Sequence, residues 1–209
     1  MAGTSQIDPQ SVLDFWFGDA TGDPARAQAR QGIWFEASDE MDAEVRRRFG
    51  AAIELTARGE LAHWRNAARS ALALVLLLDQ FPRNVWRGTR RAFAHDPQAL
   101  ETARASVSAK HLEQLAPIEQ AFLILPYEHS ESIEAQRECV HLSEQIHRAA
   151  APEWRPLLES YADYARRHLA LIERFGRFPH RNQVLGREST PAERAFLSAG
   201  AETFGQGVR

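Results

Sequence analysis

Residues 66–80 read Asn-Ala-Ala-Arg-Ser-Ala-Leu-Ala-Leu-Val-Leu-Leu-Leu-Asp-Gln and contain the longest strongly apolar run of the chain. The apolar part, residues 71–78, has a length that suits either a buried strand or part of a helix. Because leucine and alanine dominate it and Val75 is its single β-branched residue, the composition favours a helix from about Asn66 to Gln80. No other stretch shows the alternation of apolar and polar residues that is typical of a strand. The sequence therefore predicts an all-α fold.

Capping residues, prolines and glycines mark the ends of the other predicted helices, which gives about eight main helices in all. The other seven run from Asp8-Pro9 to Gly18, Ser38 to Gly59, Asp96-Pro97 to Lys110, Pro117 to Pro126, Ser130 to Ala149, Leu157 to Phe175, and from the capping box at Thr190-Pro191 onwards. The longest connections are residues 19–37 and 84–95. A short helix inside either connection would change the order in which helix directions alternate.

Length and composition limit the classes of protein to which the chain can belong. At 209 residues it is predicted to form one domain, residues 1–209. The net charge of −3 argues against nucleic acid as a partner, because nucleic-acid binding needs a basic surface. No apolar run reaches the ~20 residues that span a bilayer, and the first residues lack a signal-peptide pattern. The lone Cys139 fits a reducing compartment, so we expect a cytoplasmic protein without membrane attachment and leave its oligomeric state open.

Three polar segments each follow the last turn of a predicted helix. They are residues 79–84 (Asp-Gln-Phe-Pro-Arg-Asn), 125–131 (Leu-Pro-Tyr-Glu-His-Ser-Glu) and 175–182 (Phe-Gly-Arg-Phe-Pro-His-Arg-Asn). If the helices alternate in direction, as short connections favour, all three segments lie at the same end of the helix stack. We therefore expect one composite site that is rich in arginine, histidine, asparagine and carboxylate side chains.

The first segment offers two interpretations. Asp79 lies in the last turn of its helix, where the helix dipole disfavours a negative charge, and it shares a face with apolar residues. It therefore needs a cationic or hydrogen-bonding partner, and Arg83 and Arg87 follow closely. One interpretation is a structural ion pair at a helix end fixed by Pro82. The other is that Asp79 orients an arginine that binds a phosphate or carboxylate, with Asn84 beside it.

The second and third segments add candidates for acid–base chemistry and anion binding. Glu128 and His129 are not needed to cap the helix predicted to begin at Ser130, and the nearby helix end favours a neutral, proton-accepting imidazole at His129. Glycine and proline fix a turn in the third segment. This turn presents the polar side chains Arg177, His180, Arg181 and Asn182. A purely structural role is an open alternative for each of them.

Other kinds of site find less support in the sequence. Glu138-x-x-His141 and Glu144-x-x-His147 have the spacing seen in di-iron bundles, but both pairs lie on one helix and point in different directions. No Gly-rich phosphate loop, nucleophile elbow or metal-binding Cys pair occurs, so we expect no metal and no cofactor. The aromatic residues at 15–17 and 34–35 are predicted to be core, and Trp86 is the aromatic most readily placed at a site.

Three functional hypotheses follow. In the first, the chain binds a small anionic molecule, and if the site is catalytic the reaction is a hydrolysis or a transfer. The residues assigned to this role are Arg83, Arg87 and Arg181 for the anion, Asn84 and Asn182 for its orientation, and Glu128 with His129 or His180 for acid–base chemistry. In the second, a helical scaffold binds a peptide or a partner protein. In the third, the polar segments are internal ion-pair networks without a ligand.

The motifs together resemble the bacterial domain of unknown function 924 family over nearly the whole chain. The matching stretches are residues 12–18, Trp34-Phe35, residues 78–84 with 87–89, 125–131, 175–182 and 185–187 before 189–191. Ser132 and Met41 differ from the residues that the family would lead us to expect, an acidic residue and Phe. The resemblance implies antiparallel helical hairpins stacked as a tetratricopeptide-like superhelix. It implies no reaction.

Overall fold

The computed structural model describes residues 7–200 and Phe204, and these residues form α-helices and short 3-10 helices without any β-strand. The α-helices are α1 (Pro9–Phe17), α2 (Pro24–Ala29), α3 (Gln31–Phe35), α4 (Asp39–Ala57), α5 (Ala68–Leu78), α6 (Gln80–Val85), α7 (Asp96–Ser108), α8 (Pro117–Glu128), α9 (Ile133–Ala149), α10 (Arg155–Phe175), α11 (Asn182–Leu185) and α12 (Pro191–Ser198). The prediction of an all-α fold is confirmed. The number of main helices was predicted too low, because short helices form within segments that were expected to be loops.

Helix α5 lies at the centre of the core. All of residues 71–78 are buried, on every side of the helix. A helix that is apolar all round needs neighbours all round, and α5 packs against α1, α4, α7 and α8. Helix α9 packs against α8 and α10 and so extends the structure on the far side of α8.

Aromatic contacts fix the helix ends that later form the site. The Trp16 ring of α1 lies 5.3 Å from Phe81 of α6, and the Phe17 ring lies 5.3 Å from Phe122 of α8, measured between ring centroids. All four side chains are fully buried. These contacts tie the start of α6 and the middle of α8 to the same core helix.

Residues 19–37 contain α2 and α3 rather than an open loop. The last carbonyl groups of any helix lack partners within that helix, and this segment supplies them for α1. Arg30 donates from Nη2 to the carbonyl of Phe15 (3.0 Å), and Trp34 donates from Nε1 to the carbonyl of Trp16 (2.8 Å). These bonds hold α3 against the end of α1.

Two prolines were predicted to end helices, and one of them does. Helix α5 ends at Leu78, the residue whose carbonyl would accept from position 82 in a continuous helix, and Pro82 lies in the first turn of the separate helix α6, where its missing N–H costs no bond. Pro126 lies inside α8, which continues to Glu128. The backbone bond from His129 N to Leu125 O (3.0 Å) resumes the helical pattern, so the missing N–H of Pro126 removes one bond without breaking the helix.

The cap of α9 also differs from the prediction. Ser132, not Ser130, is the N-cap, and its hydroxyl accepts from Ala135 N (3.3 Å). Ser130 instead accepts from Ser132 N (3.1 Å) in the preceding turn. The helix therefore begins two residues later than expected, which lengthens the turn that follows His129.

The capping box of α12 is present as predicted, because Thr190 Oγ1 accepts from Glu193 N and Glu193 Oε2 accepts from Thr190 N. Thr190→Ala should lower the local stability of α12 by about 1 kcal/mol, the usual loss when a cap is removed. Hydrogen exchange of the α12 amides would measure it. Ser198→Ala at the other end of the helix is the control and should change exchange much less. Equal effects of the two substitutions would contradict the cap assignment.

Within the described part of the chain, no helix has the length and apolar character needed to cross a membrane.

Candidate functional site

A cavity of about 620 Å³ opens between α3, α6, α8, α10 and the turn at residues 179–181. Its wall is formed by Gln31, Gly32, Trp34, Phe35, Glu36, Gln80, Arg83, Asn84, Arg87, Leu125, Glu128, His129, Ser160, Tyr161, Tyr164, His168, His180, Arg181 and Phe204. All three polar segments contribute to this wall. Its volume lies in the range of small-molecule sites.

The residues singled out in the sequence divide into two groups. Those that line the cavity are Arg83, Asn84, Arg87, Glu128, His129, His180 and Arg181. Asp79 lies directly behind the wall, where it contacts Arg83 and His129. Arg177 and Asn182 do not line the cavity.

Asp79 and His129 form a buried pair at the ends of α5 and α8. Asp79 is 0 % exposed, and its Oδ1 lies 2.7 Å from His129 Nδ1. Burial works to raise the pKa of Asp79, but the charge of Arg83 and the hydrogen bonds from His129 and Gln80 outweigh it and hold that pKa well below its ordinary value. An ionised carboxylate can only accept, so His129 Nδ1 carries the proton and Nε2 carries the lone pair. Burial, followed by the charge of Arg83, lowers the pKa of His129, which keeps the imidazole neutral.

Protein groups bind the guanidinium group of Arg83 through both of its terminal nitrogens. Its Nη1 and Nη2 donate to the two carboxylate oxygens of Asp96 at 2.9 and 3.0 Å, and Nη1 also donates to the carbonyl of Asp79. Such a two-point bond fixes the plane of the arginine in the cavity wall.

Arg87 and Asn84 share one carboxylate on α4. Arg87 donates to both oxygens of Asp42 at 2.8 and 2.9 Å, and Asn84 Nδ2 donates to Asp42 Oδ1 at 2.8 Å. The pair is only slightly exposed. The bonds of Arg87 and Asn84 to Asp42 fasten the end of α6 to the first turn of α4.

Arg181 is held less completely. Its Nη1 donates to the carbonyl of His129 (3.0 Å) and lies 3.5 Å from Asp96, while its Nε is buried and has no hydrogen-bond partner. The guanidinium carbon sits 4.7 Å from the ring centre of Phe93 and 4.5 Å from that of Phe178. Burial lowers the pKa of Arg181 to about 10, so the group is still cationic at neutral pH.

His180 also has a buried ring nitrogen without a hydrogen-bond partner in the protein. The residue is 8 % exposed, and no protein group hydrogen-bonds its Nδ1. Burial and the charge of Arg181 lower its pKa to about 3, so the ring is neutral.

Glu128 is a buried carboxyl group in its acid form at neutral pH. Burial and the negative charge of Asp79 raise its pKa to about 8. Its closest partner is His168 of α10, whose Nδ1 lies 3.4 Å from Glu128 Oε1 and 2.9 Å from the carbonyl of Tyr164. A carbonyl can only accept, so His168 Nδ1 carries a proton and faces Oε1. This geometry favours Oε2 as the oxygen that holds the proton of Glu128.

Arg177 and Asn182 belong to a network behind the turn. Arg177 donates to both oxygens of Glu193 at 2.6 and 2.8 Å, which fastens α12 to the turn. Asn182 donates to Ser189 and accepts from Arg187. These contacts suit a structural role.

The aromatic residues differ from the prediction. Trp34 and the aromatic residues at 16–17 are buried, but Phe35 is 43 % exposed and lines the cavity. Trp86 does not line it and instead stacks under Arg91 at 3.9 Å. The residues around Phe35 did not indicate that it would line the cavity, because its burial depends on how α3 packs against the rest of the protein.

The sequence analysis missed one residue of the cavity wall, His168, and two carboxylates that bind wall arginines, Asp42 and Asp96. His168 carried a signal, since a histidine at this position interrupts the apolar face of α10. Asp42 and Asp96 fit the first turns of their helices by the usual preference for acidic residues, and only the tertiary structure brings them to the arginines. Among residues 7–200 and Phe204, no three metal-binding side chains cluster closely enough to hold a metal ion.

The cavity thus combines a neutral proton acceptor, a neutral proton donor and a buried cation. His129 supplies the lone pair, Glu128 the acid proton and Arg181 the cation. Two carboxylates, Asp79 and Asp96, face two guanidinium groups, Arg83 and Arg181.

Comparisons with known proteins identify a family and a similar structure, and both are described as being of unknown function. The model of a family described as "Bacterial protein of unknown function (DUF924)" matches residues 12–201. A solved structure, that of the protein of unknown function ATU0120 from Agrobacterium tumefaciens, is similar with a TM-score of 0.78 and 36 % identity; the match covers 92 % of this chain and 97 % of that one. No curated protein matches.

Proposed function

The chain belongs to the DUF924 family of bacterial proteins of unknown function, and we propose that it binds a small anionic molecule in its cavity and acts on it as a hydrolase or transferase. The observation that carries this proposal is the pairing of a carboxylate-oriented imidazole with a protonated carboxyl group in one wall. Asp79 holds His129 by Nδ1, and Glu128 retains its proton up to about pH 8.

Each group has one role in the proposed chemistry. His129 Nε2 takes the proton of a water or of an acceptor hydroxyl as its oxygen attacks the reacting centre. Glu128 transfers its proton to the leaving group as the bond to that group breaks. His129 then carries the extra proton and Glu128 the negative charge, and a proton passed between them or through solvent restores both. Arg181 binds the anionic oxygen atoms, since its guanidinium is cationic at neutral pH and lines the cavity, and His180 lines the wall beside it.

A second candidate is a scaffold that binds a peptide, in a tetratricopeptide-like stack of helices. The observation in its favour is the exposure of Phe35 and Tyr164 beside the cavity, because peptide grooves use such aromatic surfaces. The buried guanidinium of Arg181 in the cavity wall favours the first candidate, since it offers a positive charge to a small anion inside the cavity.

A thermal-shift screen with small anionic metabolites tests the proposal. Ligands that raise the melting temperature of the wild type should bind about tenfold more weakly to Arg181→Lys, which keeps the charge but loses the planar fork. Arg177→Lys is the matched control, because it makes the same change on the same turn outside the cavity. Each variant is compared with its own ligand-free melting temperature, so a difference in stability does not enter.

Two results would overturn the proposal. One is a set of hits whose binding is unchanged by Arg181→Lys. The other is a screen in which extended peptides bind and small anions do not, which would establish the scaffold instead.

A further inference from the structure

We infer that the molecule bound in this cavity is an aromatic acid, in which a ring and an anionic group are joined by a short linker. The inference rests on the proposed function and adds a substrate class to it. It stands on the distribution of apolar and polar side chains along the cavity wall.

The exposed aromatic side chains point to a ring. In the part of the chain that the structure describes, the exposed large apolar residues are Ile33, Phe35 and Tyr164, at 39, 43 and 44 %. Phe35 and Tyr164 both line the cavity, and Ile33 does not. Scattered apolar residues on a surface need no explanation, but two aromatic rings at one cavity mark a place where an apolar group binds.

The aromatic wall is continuous from α3 to α10. The Phe35 ring lies 6.0 Å from the Tyr161 ring in an edge-to-face arrangement. Tyr161, Tyr164 and His168 follow one another on one face of α10, since residues three and four apart are neighbours on a helix. From Tyr161 to His168 the helix rises about 10 Å. One aromatic ring and a short acid fill that length.

The other end of the same wall carries the polar groups. His168 faces Glu128 and lies 6.4 Å from the His129 ring, between ring centroids. The Phe204 ring stacks on His168 at this end, with 3.6 Å between ring centroids. Arg181 donates to the carbonyl of His129, so it lies at this end too. A ligand that follows α10 from Tyr161 therefore passes aromatic rings before it reaches the imidazoles and the guanidinium of Arg181, whose charge suits a carboxylate or phosphate.

Calorimetric titration with three probes tests the inference: phenylacetate, which has both parts, acetate, which has only the anion, and benzyl alcohol, which has only the ring without the charge. Phenylacetate should bind the wild type about tenfold more tightly than either of the others. Phe35→Ala and Tyr164→Ala should each weaken phenylacetate about threefold to tenfold and leave acetate unchanged. Ile33→Ala, an equally exposed position on the same helix as Phe35, should change none of the three affinities.

The outcomes separate this inference from the function on which it rests. Equal affinity for acetate and phenylacetate, both weakened by Arg181→Lys, would overturn the aromatic class and keep the anion site. Equal affinity for phenylacetate and benzyl alcohol, insensitive to Arg181→Lys, would overturn the anion site itself. Binding of none of the probes would overturn both. Phe35 and Tyr164 are partly exposed, and circular dichroism of each variant would verify that its substitution leaves the fold intact.

Discussion

Glu128→Gln is expected to stabilise the folded protein by about 3 kcal/mol at pH 7 and to have almost no effect at pH 4. The pKa of Glu128 is raised by burial and by the charge of Asp79 from its ordinary 4.5 to about 8. Between these values the folded protein keeps a proton that the unfolded chain has released. The contribution of this proton to the free energy of unfolding is therefore complete below pH 4.5. It falls by about 1.4 kcal/mol per pH unit as the pH rises to about 8. Glutamine has no such proton to lose.

Glutamine also fits the position. It has the shape of the protonated acid, with one oxygen that can face His168 Nδ1 and one donor group in place of the hydroxyl. Denaturant unfolding of both proteins at pH 4, 6, 7 and 8 would measure the difference. Glu119→Gln on the same helix is the control. Glu119 is equally buried, but its oxygens accept from Arg69 and from Ala116 N, so its loss should destabilise the protein at pH 7.

The pH dependence decides the cause of the effect. A gain of the same size at all pH values would mean that shape, and not the proton, is responsible. A loss at pH 7 would mean that Glu128 is ionised and paired in the folded state. A gain that grows with pH would identify Glu128 as a group that reduces stability, which is common where a site is kept for function. The same variant should bind ligand but turn it over about 10²- to 10⁴-fold more slowly, because it cannot donate a proton.

The fold class was accessible from sequence because local signals agree with the tertiary structure. The apolar run of residues 71–78 is buried on all sides, and the caps at Asp8, Ser38 and Thr190 are present. The short helices were not predicted, since α2, α3 and α6 have too few residues for a periodic pattern. Their stability comes from contacts such as that of Arg30 with the end of α1.

The proximity of the three polar segments could be predicted by a similar argument. Each segment follows a long helix, so its position is set by helix direction rather than by its own sequence. The sequence did not show how completely protein carboxylates bind each arginine. Arg83 and Arg181 look alike in their surroundings along the chain, yet Asp96 binds Arg83 through both oxygens and Arg181 through one long contact. That difference arises from a residue 13 positions from one and 85 from the other.

Asp79→Asn is expected to destabilise the protein by about 3 kcal/mol at pH 7, the usual scale for removing one member of a buried ion pair. Asp79 is fully buried and contacts N–H groups of Gln80, Arg83 and His129. Asparagine has one acceptor oxygen and a donor NH₂, so at least one N–H would face another. Denaturant unfolding would measure the loss. Asp19→Asn removes an equally direct but exposed pair with Arg26, and it should change stability by less than about 0.5 kcal/mol.

The pH profile follows from the direction of the pKa shift. Because the folded pKa of Asp79 lies below its ordinary value of 3.8, its contribution is present above that pH and is lost as the pH falls below it. The wild type and Asp79→Asn should therefore converge in stability in acid. A difference between them that does not shrink as the pH is lowered through the acid range would point to lost packing instead of a lost charge.

The same substitution also separates the structural role of Asp79 from its role toward His129. A carboxylate at Nδ1 keeps the lone pair on Nε2, whereas asparagine can present its NH₂ to Nδ1 and move the ring proton to Nε2. Nitrogen-15 NMR of the histidine rings distinguishes the two tautomers. If Asp79 only closes a helix end, the substitution costs stability and leaves the tautomer of His129 as it was. If Asp79 prepares His129 to accept a proton, the tautomer changes as well, and ligand turnover falls even at temperatures where the variant is fully folded.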